Sequence, residues 1–273
     1  MSDIVLTAGV RANLLQLQST AATITNTQSK LATGKRVNSA LDNPNNFFTA
    51  QGLSNRASDL TNLLDSMSTA ISTIQAANNG LTSITKLVQS AQALASQAQQ
   101  TSDTTVRSGL ATQFNAVKTQ IDQLAGDSGF NGINLLDSTN STNLTVQLNE
   151  RNTSSVTVNA VDSTSSGLLV NNATNNWAAA ADITAASGEL TAALTTLRSQ
   201  SQAFGSQLST VQIRQDFTKA MVNTLQSGSD ALTLADSNEE GANLLALQTR
   251  QQLSTTALSL ASQASQAVLR LFQ

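Results

Sequence analysis

The apolar positions of this chain recur in long runs whose spacing alternates between four and three. The first passes through Val10, Leu14, Leu17, Ala21, Ile24 and, beyond the polar Gln28, Leu31. That spacing is the seam of a coiled coil rather than the broad stripe of a globular helix. Gly34 stops it. The second run holds Leu53, Ala57, Leu60, Leu64, Met67, Ile71 and Ile74, then Ala77, Leu81, Ile84, Val88, Ala91, Ala95 and Ala98. Two successive gaps of three around Ile74 overwind the heptad pattern once, close to Gly80. A helix from about Pro44 to Gln99 is roughly 80 Å long at 1.5 Å per residue, far more than a globular domain needs.

The stretch "TSDTT" at 101–105 supplies a break and an N-cap in Ser102 or Asp103. Val106, Leu110, Phe114, Val117, Ile121 and Leu124 then mark a third helix, ended by Gly126 and Gly129. There the period changes. Leu144, Val146 and Leu148 alternate, as do Val156 and Val158 beyond the polar turn "NERNTSS", which predicts a β-hairpin with soft loops on both sides. Residues 162–178 are rich in Ser, Asn and Thr, carry the lone Trp177, and read as a loop into a helix starting near Ala179. The seam returns through Ile183, Leu190, Leu194, Leu197, Phe204, Leu208, Val211, Val222, Leu225 and Leu232. Polar Ser201, Gln215, Thr218 and Ser229 occupy several of its positions and predict loose packing or polar neighbours. After "ADSNEEGAN", a last helix runs through Leu253, Ala257, Leu260, Ala264, Ala267 and Leu271. The fold class is therefore mainly α: long coiled-coil-like helices from both chain ends, paired in a bundle, with a small β-hairpin insertion.

Between the first two helices lies "LATGKRVNSALDNPNNFF", which holds Pro44, the only proline in 273 residues. Asp42 or Asn43 can cap the second helix. Pro44 suits its first turn, because it lacks the amide hydrogen that would be unpaired there.

Composition narrows the function. Only 3% of residues are aromatic and 11% charged, against roughly 25% charged in an ordinary domain, so the helices have thin apolar stripes and need partners. Without cysteine or histidine there is no disulfide, no thiolate site, and none of the commonest acid–base and metal-binding side chains. No catalytic site, metal or cofactor is expected. Glu239 and Glu240 point to different faces of a helix and suit its N-terminus rather than paired acid catalysis. A net charge of −3 and no basic patch interleaved with aromatics argue against nucleic acid. No run of 18 apolar residues suggests a membrane span, and the N-terminus lacks the pattern of a cleaved secretory signal. The cytoplasm, or export without a cleaved signal, remains. Residues 1–34 carry only Asp3, Arg11 and Lys30, and 241–273 only Arg250 and Arg270. With alanine at many seam positions, neither end holds enough apolar bulk to fold alone, so both are expected to become helical on assembly. Packing of both ends into an intramolecular bundle is the other reading.

At this point the residues resemble bacterial flagellins. Thr33, Gly34, Val37, Asn38, Ser39, Ala40 and Asp42 match that family's connector pattern. "ISTIQAANNGLTSITKLVQSAQALASQA" is similar to its long helix, and Phe130, Asn131 and Gly132 to its Phe-Asn-Gly segment. "RSQSQAFGSQLSTVQIRQDF" and "QQLSTTALSLASQASQAVLRLF" extend the resemblance into the second half, which leaves outside it little beyond the hairpin region. The family's stretch before the last helix is replaced by "LTLADSNEEGANLL", which implies an altered geometry at that junction.

The resemblance implies a filament subunit for swimming, exported through the flagellar type III apparatus into an extracellular filament. It implies an inner coiled-coil domain from 1–34 and 240–273, connectors at 35–46 and 233–239, an outer helical bundle from 47–137 and 179–232, and a reduced variable region at 138–178. The inner assembly seam falls on Val10, Leu14, Leu17, Ala21, Ile24 and Leu31 with Leu253, Ala257, Leu260, Ala264, Ala267 and Leu271. The connector residues are Gly34, Asn38, Ser39, Asp42 and Pro44. Implied partners are neighbouring subunits, hook-junction and cap proteins, and an export chaperone on the C-terminal helix, with no nucleic acid or membrane. Leu94 and Gln97 match a surface read by the host flagellin receptor, but Ser90 and Gln113 stand where a basic and an acidic residue are expected, which implies weak activation. Alternatives are a hook–filament junction protein and a flagellin-like surface protein that binds glycans through the hairpin.

Overall fold

The computed structural model describes residues 8–139 and 143–271. Along the chain come α1 (Ala8–Thr33), α2 (Pro44–Gln99), α3 (Thr104–Asp127), β1 (Leu144–Gln147), β2 (Ser155–Val158), a 3-10 turn (Thr174–Trp177), α4 (Ala180–Thr233) and α5 (Ser237–Leu271). Two compact units result. One is Arg56–Asn223; the other combines the chain before it with the chain from Thr224 onward.

The Arg56–Asn223 unit has one continuous core. Met67, Ile74, Leu81, Ile84 and Val88 of α2 bury against Phe114 and Ile121 of α3, Val146 and Val158 of the hairpin, and Ile183, Leu190, Leu197, Phe204 and Val211 of α4. The overwound step at Ile74 is absorbed without breaking α2. Gly80 is needed beside it, because a Cβ there would lie 2.3 Å from Ser128 Oγ and 2.6 Å from Leu136 Cδ1. Helix α3 starts at the Asp103 cap, whose carboxylate accepts from the Thr105 and Val106 amides. Arg107 donates to the carbonyls of Ala98, Thr101 and Ala178, tying together the ends of three helices.

Strands β1 and β2 pair antiparallel, with Leu144 opposite Val158 and Gln147 opposite Ser155. Leu144 and Val146 are buried and Thr145 is exposed, the alternation of a sheet with one face on a core. The segment from 162 to 173 is not the soft loop expected. Asp122 accepts from the Ser165 amide and hydroxyl, Asn115 from the Ala173 amide, and Glu189 from the amide and side chain of Asn171. Leu168 and Val170 are buried under these bonds. Trp177 is buried against Phe114, ring centroids 4.9 Å apart.

In the other unit α1 packs on α5, and Lys30 Nζ meets Glu240 Oε1 at 3.0 Å. Helix α5 begins at Ser237, so it takes in most of "ADSNEEGAN", which the sequence reading leaves ahead of it. Asp236 makes this possible by accepting from the Asn238 and Glu239 amides. Glu239 and Glu240 then sit in the first turn, where acidic side chains favour the helix. Two polar seam positions of α4 are buried and satisfied: Thr218 Oγ1 donates to the Arg214 carbonyl and Ser229 Oγ to that of Ala50.

Candidate assembly surfaces

The connector is built rather than slack. Gly34 closes α1 at φ +67°, a conformation that disfavours a side chain. The chain then pairs with the end of α4: the Arg36 amide donates to the Thr233 carbonyl at 2.8 Å, and the Ala235 amide to that of Gly34 at 2.9 Å. Val37 is buried. Asp42 folds back on the turn, one carboxylate oxygen accepting from the amides of Asn38 and Ser39, each at 2.9 Å, and from the Ser39 hydroxyl. Those two amides, helped by the Ser39 hydroxyl and Lys30, hold its carboxyl below the usual aspartate value. Asn38 donates from its side chain to the Lys35 carbonyl. The cap of α2 is Asn43, whose side chain accepts from the Asn46 amide at 3.0 Å, and Pro44 is the first helical residue. Leu41 stands at the tip of the turn, 96% exposed.

The pairing of α1 with α5 uses a face that apolarity alone does not pick out. On α1 the covered positions are Val10, Asn13, Leu17, Thr20, Ile24, Thr27 and Leu31; on α5 they are Leu244, Leu247, Gln251, Ser254, Leu258 and Ala261. Both sets alternate three and four. Val10, Leu17, Ile24 and Leu31 thus lie on the intrachain seam, whereas Leu14 is largely exposed and Ala21 half-buried at its edge. On α5 the predicted stripe faces away from α1. Leu253 is 67% and Leu260 62% exposed, and Ala257, Ala264 and Ala267 are exposed as well. The side chain of Leu271 lies outside the described residues. Leu15 and Leu245 add to the uncovered apolar surface. Helix α5 therefore has two stripes, a mixed one with Gln and Ser that meets α1 and a second apolar one left open, whereas the large apolar side chains that α1 leaves open are Leu14 and Leu15.

The sequence motif at Phe130, Asn131 and Gly132 is a two-residue turn. Asn131 at φ 49° and Gly132 at φ 79° reverse the chain, and Phe130 and Ile133 exchange both backbone hydrogen bonds. The reversal sends Leu135 and Leu136 into the core and lets Asn134 donate to the last carbonyls of α3. Ser90 and Gln97 of α2 and Gln113 of α3 are exposed, and Leu94 is half-buried against the core.

Among the described residues no group of acidic side chains could hold a metal ion, and no helix is long and apolar enough to cross a membrane. Residues 7–141 match the family model for the bacterial flagellin N-terminal helical region. The flagellin FljM of Caulobacter vibrioides is 32% identical over 274 residues, spanning all of this chain and 99% of its own. A flagellin of Brucella melitensis is 25% identical across both full lengths. A crystal structure of Bacillus cereus flagellin superposes with a TM-score of 0.49 at 25% identity, covering 55% of this chain and 86% of its own.

Proposed function

The chain belongs to the bacterial flagellin family, and on that premise we propose that its polymer contacts lie on the apolar stripe of α5 and the leucines of α1 that the pairing of these two helices leaves uncovered. It is a flagellin, a structural subunit of the flagellar filament used in swimming. The observation that carries the proposal is the exposure of Leu253 and Leu260 on a helix whose other stripe is already paired. Burying one leucine side chain contributes about 1.5–3 kcal/mol. A stripe repeated on every subunit, meeting a different surface on the next, makes contacts that do not close and so generates a helical polymer.

In this reading the paired ends, 1–34 and 240–273, form the inner layer of an extracellular filament. The helices of 47–137 and 179–232 form the outer bundle, and 138–178 is its reduced variable region. The chain leaves the cell through the flagellar type III apparatus. Before assembly, the open stripe of α5 is the surface an export chaperone covers, and hook-junction and cap proteins meet the same terminal helices at the ends of the filament. The test is seeded polymerisation of the purified chain. The double substitution Leu253→Asp and Leu260→Asp abolishes filaments while leaving the helical circular dichroism of the monomer unchanged. Filaments of normal yield from that variant remove the proposal.

A further inference from the structure

Two open features of the Arg56–Asn223 unit are opposite in chemistry. The first is a cleft of about 590 Å³ between α2 and the hairpin, lined by Asp59, Asn62, Asn131, Gln147 and Glu150 among others, with no lysine or arginine in its wall. Glu150 is already engaged by Arg56 Nε at 2.8 Å. Asp59 has no partner among the described residues, and Gln147 buries its Oε1 with no donor. The cleft therefore holds acceptors in excess and suits a cationic, donor-rich group. The second feature is a groove of about 290 Å³ between α2 and α4, floored by Leu81 and Leu197 and edged by Lys86 and Arg198, with no carboxylate in its wall. Neither cation has an ion-pair partner among the described residues.

One chain cannot bring these two together. Asp59 and Lys86 lie on the same helix, roughly 40 Å apart along its axis. We propose that the Lys86 and Arg198 groove of one copy engages the Asp59 cleft of the next, an electrostatic contact that fixes how successive subunits are offset. It rests on the filament reading above and adds a second, polar interface to the apolar one at the chain ends. The guanidinium of Arg198 carries five donors in a fixed fork that can take the exposed Asp59 carboxylate through two parallel hydrogen bonds, and Lys86 adds a point charge beside it. The two patches differ, so the contact is heterologous and propagates through the polymer instead of closing.

The experiment compares seeded assembly of the full chain with two variants. The first carries Lys86→Glu and Arg198→Glu, and the second Asp59→Arg. Each alone makes the contact repulsive and raises the concentration needed for growth by roughly tenfold, an effect that shrinks as salt is added. An equimolar mixture of the two restores growth, because one supplies an acidic groove and the other a basic cleft. Normal growth of the first variant alone, or a mixture no better than its components, overturns the contact. So does calcium binding at the cleft by calorimetry with assembly indifferent to both charge reversals, since the cleft then serves an inorganic cation. Failure of the unaltered chain to grow on seeds strikes instead at the filament reading itself.

Discussion

At the scale of single residues, the connector shows how far a local rule reaches. The sequence leaves Asp42 and Asn43 as equal candidates for the cap of α2, since either side chain can accept from a helix amide. The structure separates them: Asn43 directly precedes Pro44 and caps, while Asp42 turns back to Asn38 and Ser39. That distinction depends on the path of the chain through the turn, which composition does not carry. The lowered titration point of Asp42 has a consequence with a definite sign. A carboxyl whose folded value lies below its unfolded one stabilises the turn fully above the unfolded value, about pH 3.9, and loses that stabilisation as the pH falls through the folded one. The amide resonances of Asn38 and Ser39 should therefore shift together with a midpoint below about pH 4, and Asp42→Asn should remove the transition. Shifts that persist in that variant would assign the effect to another group.

At the scale of elements, hydrophobic spacing located the helices and the hairpin, but the stripe it selects on α5 is not the one that meets α1. On α5 the most apolar stripe is Leu253, Ala257, Leu260, Ala264 and Ala267, and periodicity selects it. The stripe that meets α1 contains Gln251 and Ser254 instead, and its counterpart on α1 contains Asn13, Thr20 and Thr27. Leucines at 244, 247 and 258 with heptad spacing were the readable trace of it. The α1-facing stripe keeps three leucines but interrupts them with Gln251 and Ser254, so a search for unbroken apolar spacing passes over it and settles on the other face. The 162–173 segment is a second case. Its order comes from Asp122, Asn115 and Glu189, all on helices distant in sequence, and nothing within the segment itself announces them.

At the scale of the whole molecule, the two units rest on different amounts of buried bulk. The Arg56–Asn223 unit buries large side chains from three helices and a hairpin, whereas on α1 only Thr20, Ile24 and Thr27 are buried. We expect a seam that thin to fall short of the entropy of ordering two long helices, roughly 1–2 kcal/mol per residue, until a neighbouring subunit adds to it. Amide hydrogen exchange on the monomer should find residues 10–30 and 245–265 exchanging within seconds and the segment from 67 to 98 strongly protected, with protection spreading to both ends in the filament. Strong protection of 10–30 in the monomer would sink this. Trp177, the only tryptophan of the chain, lies in the well-packed unit, fully buried against Phe114. The protein thus has a built-in optical probe for one half of itself. Its emission should stay blue-shifted and constant while subunits join or leave the filament, and move to longer wavelength only when the Arg56–Asn223 unit unfolds. Unfolding of that unit can then be read from emission while assembly is read from scattered light in the same cuvette.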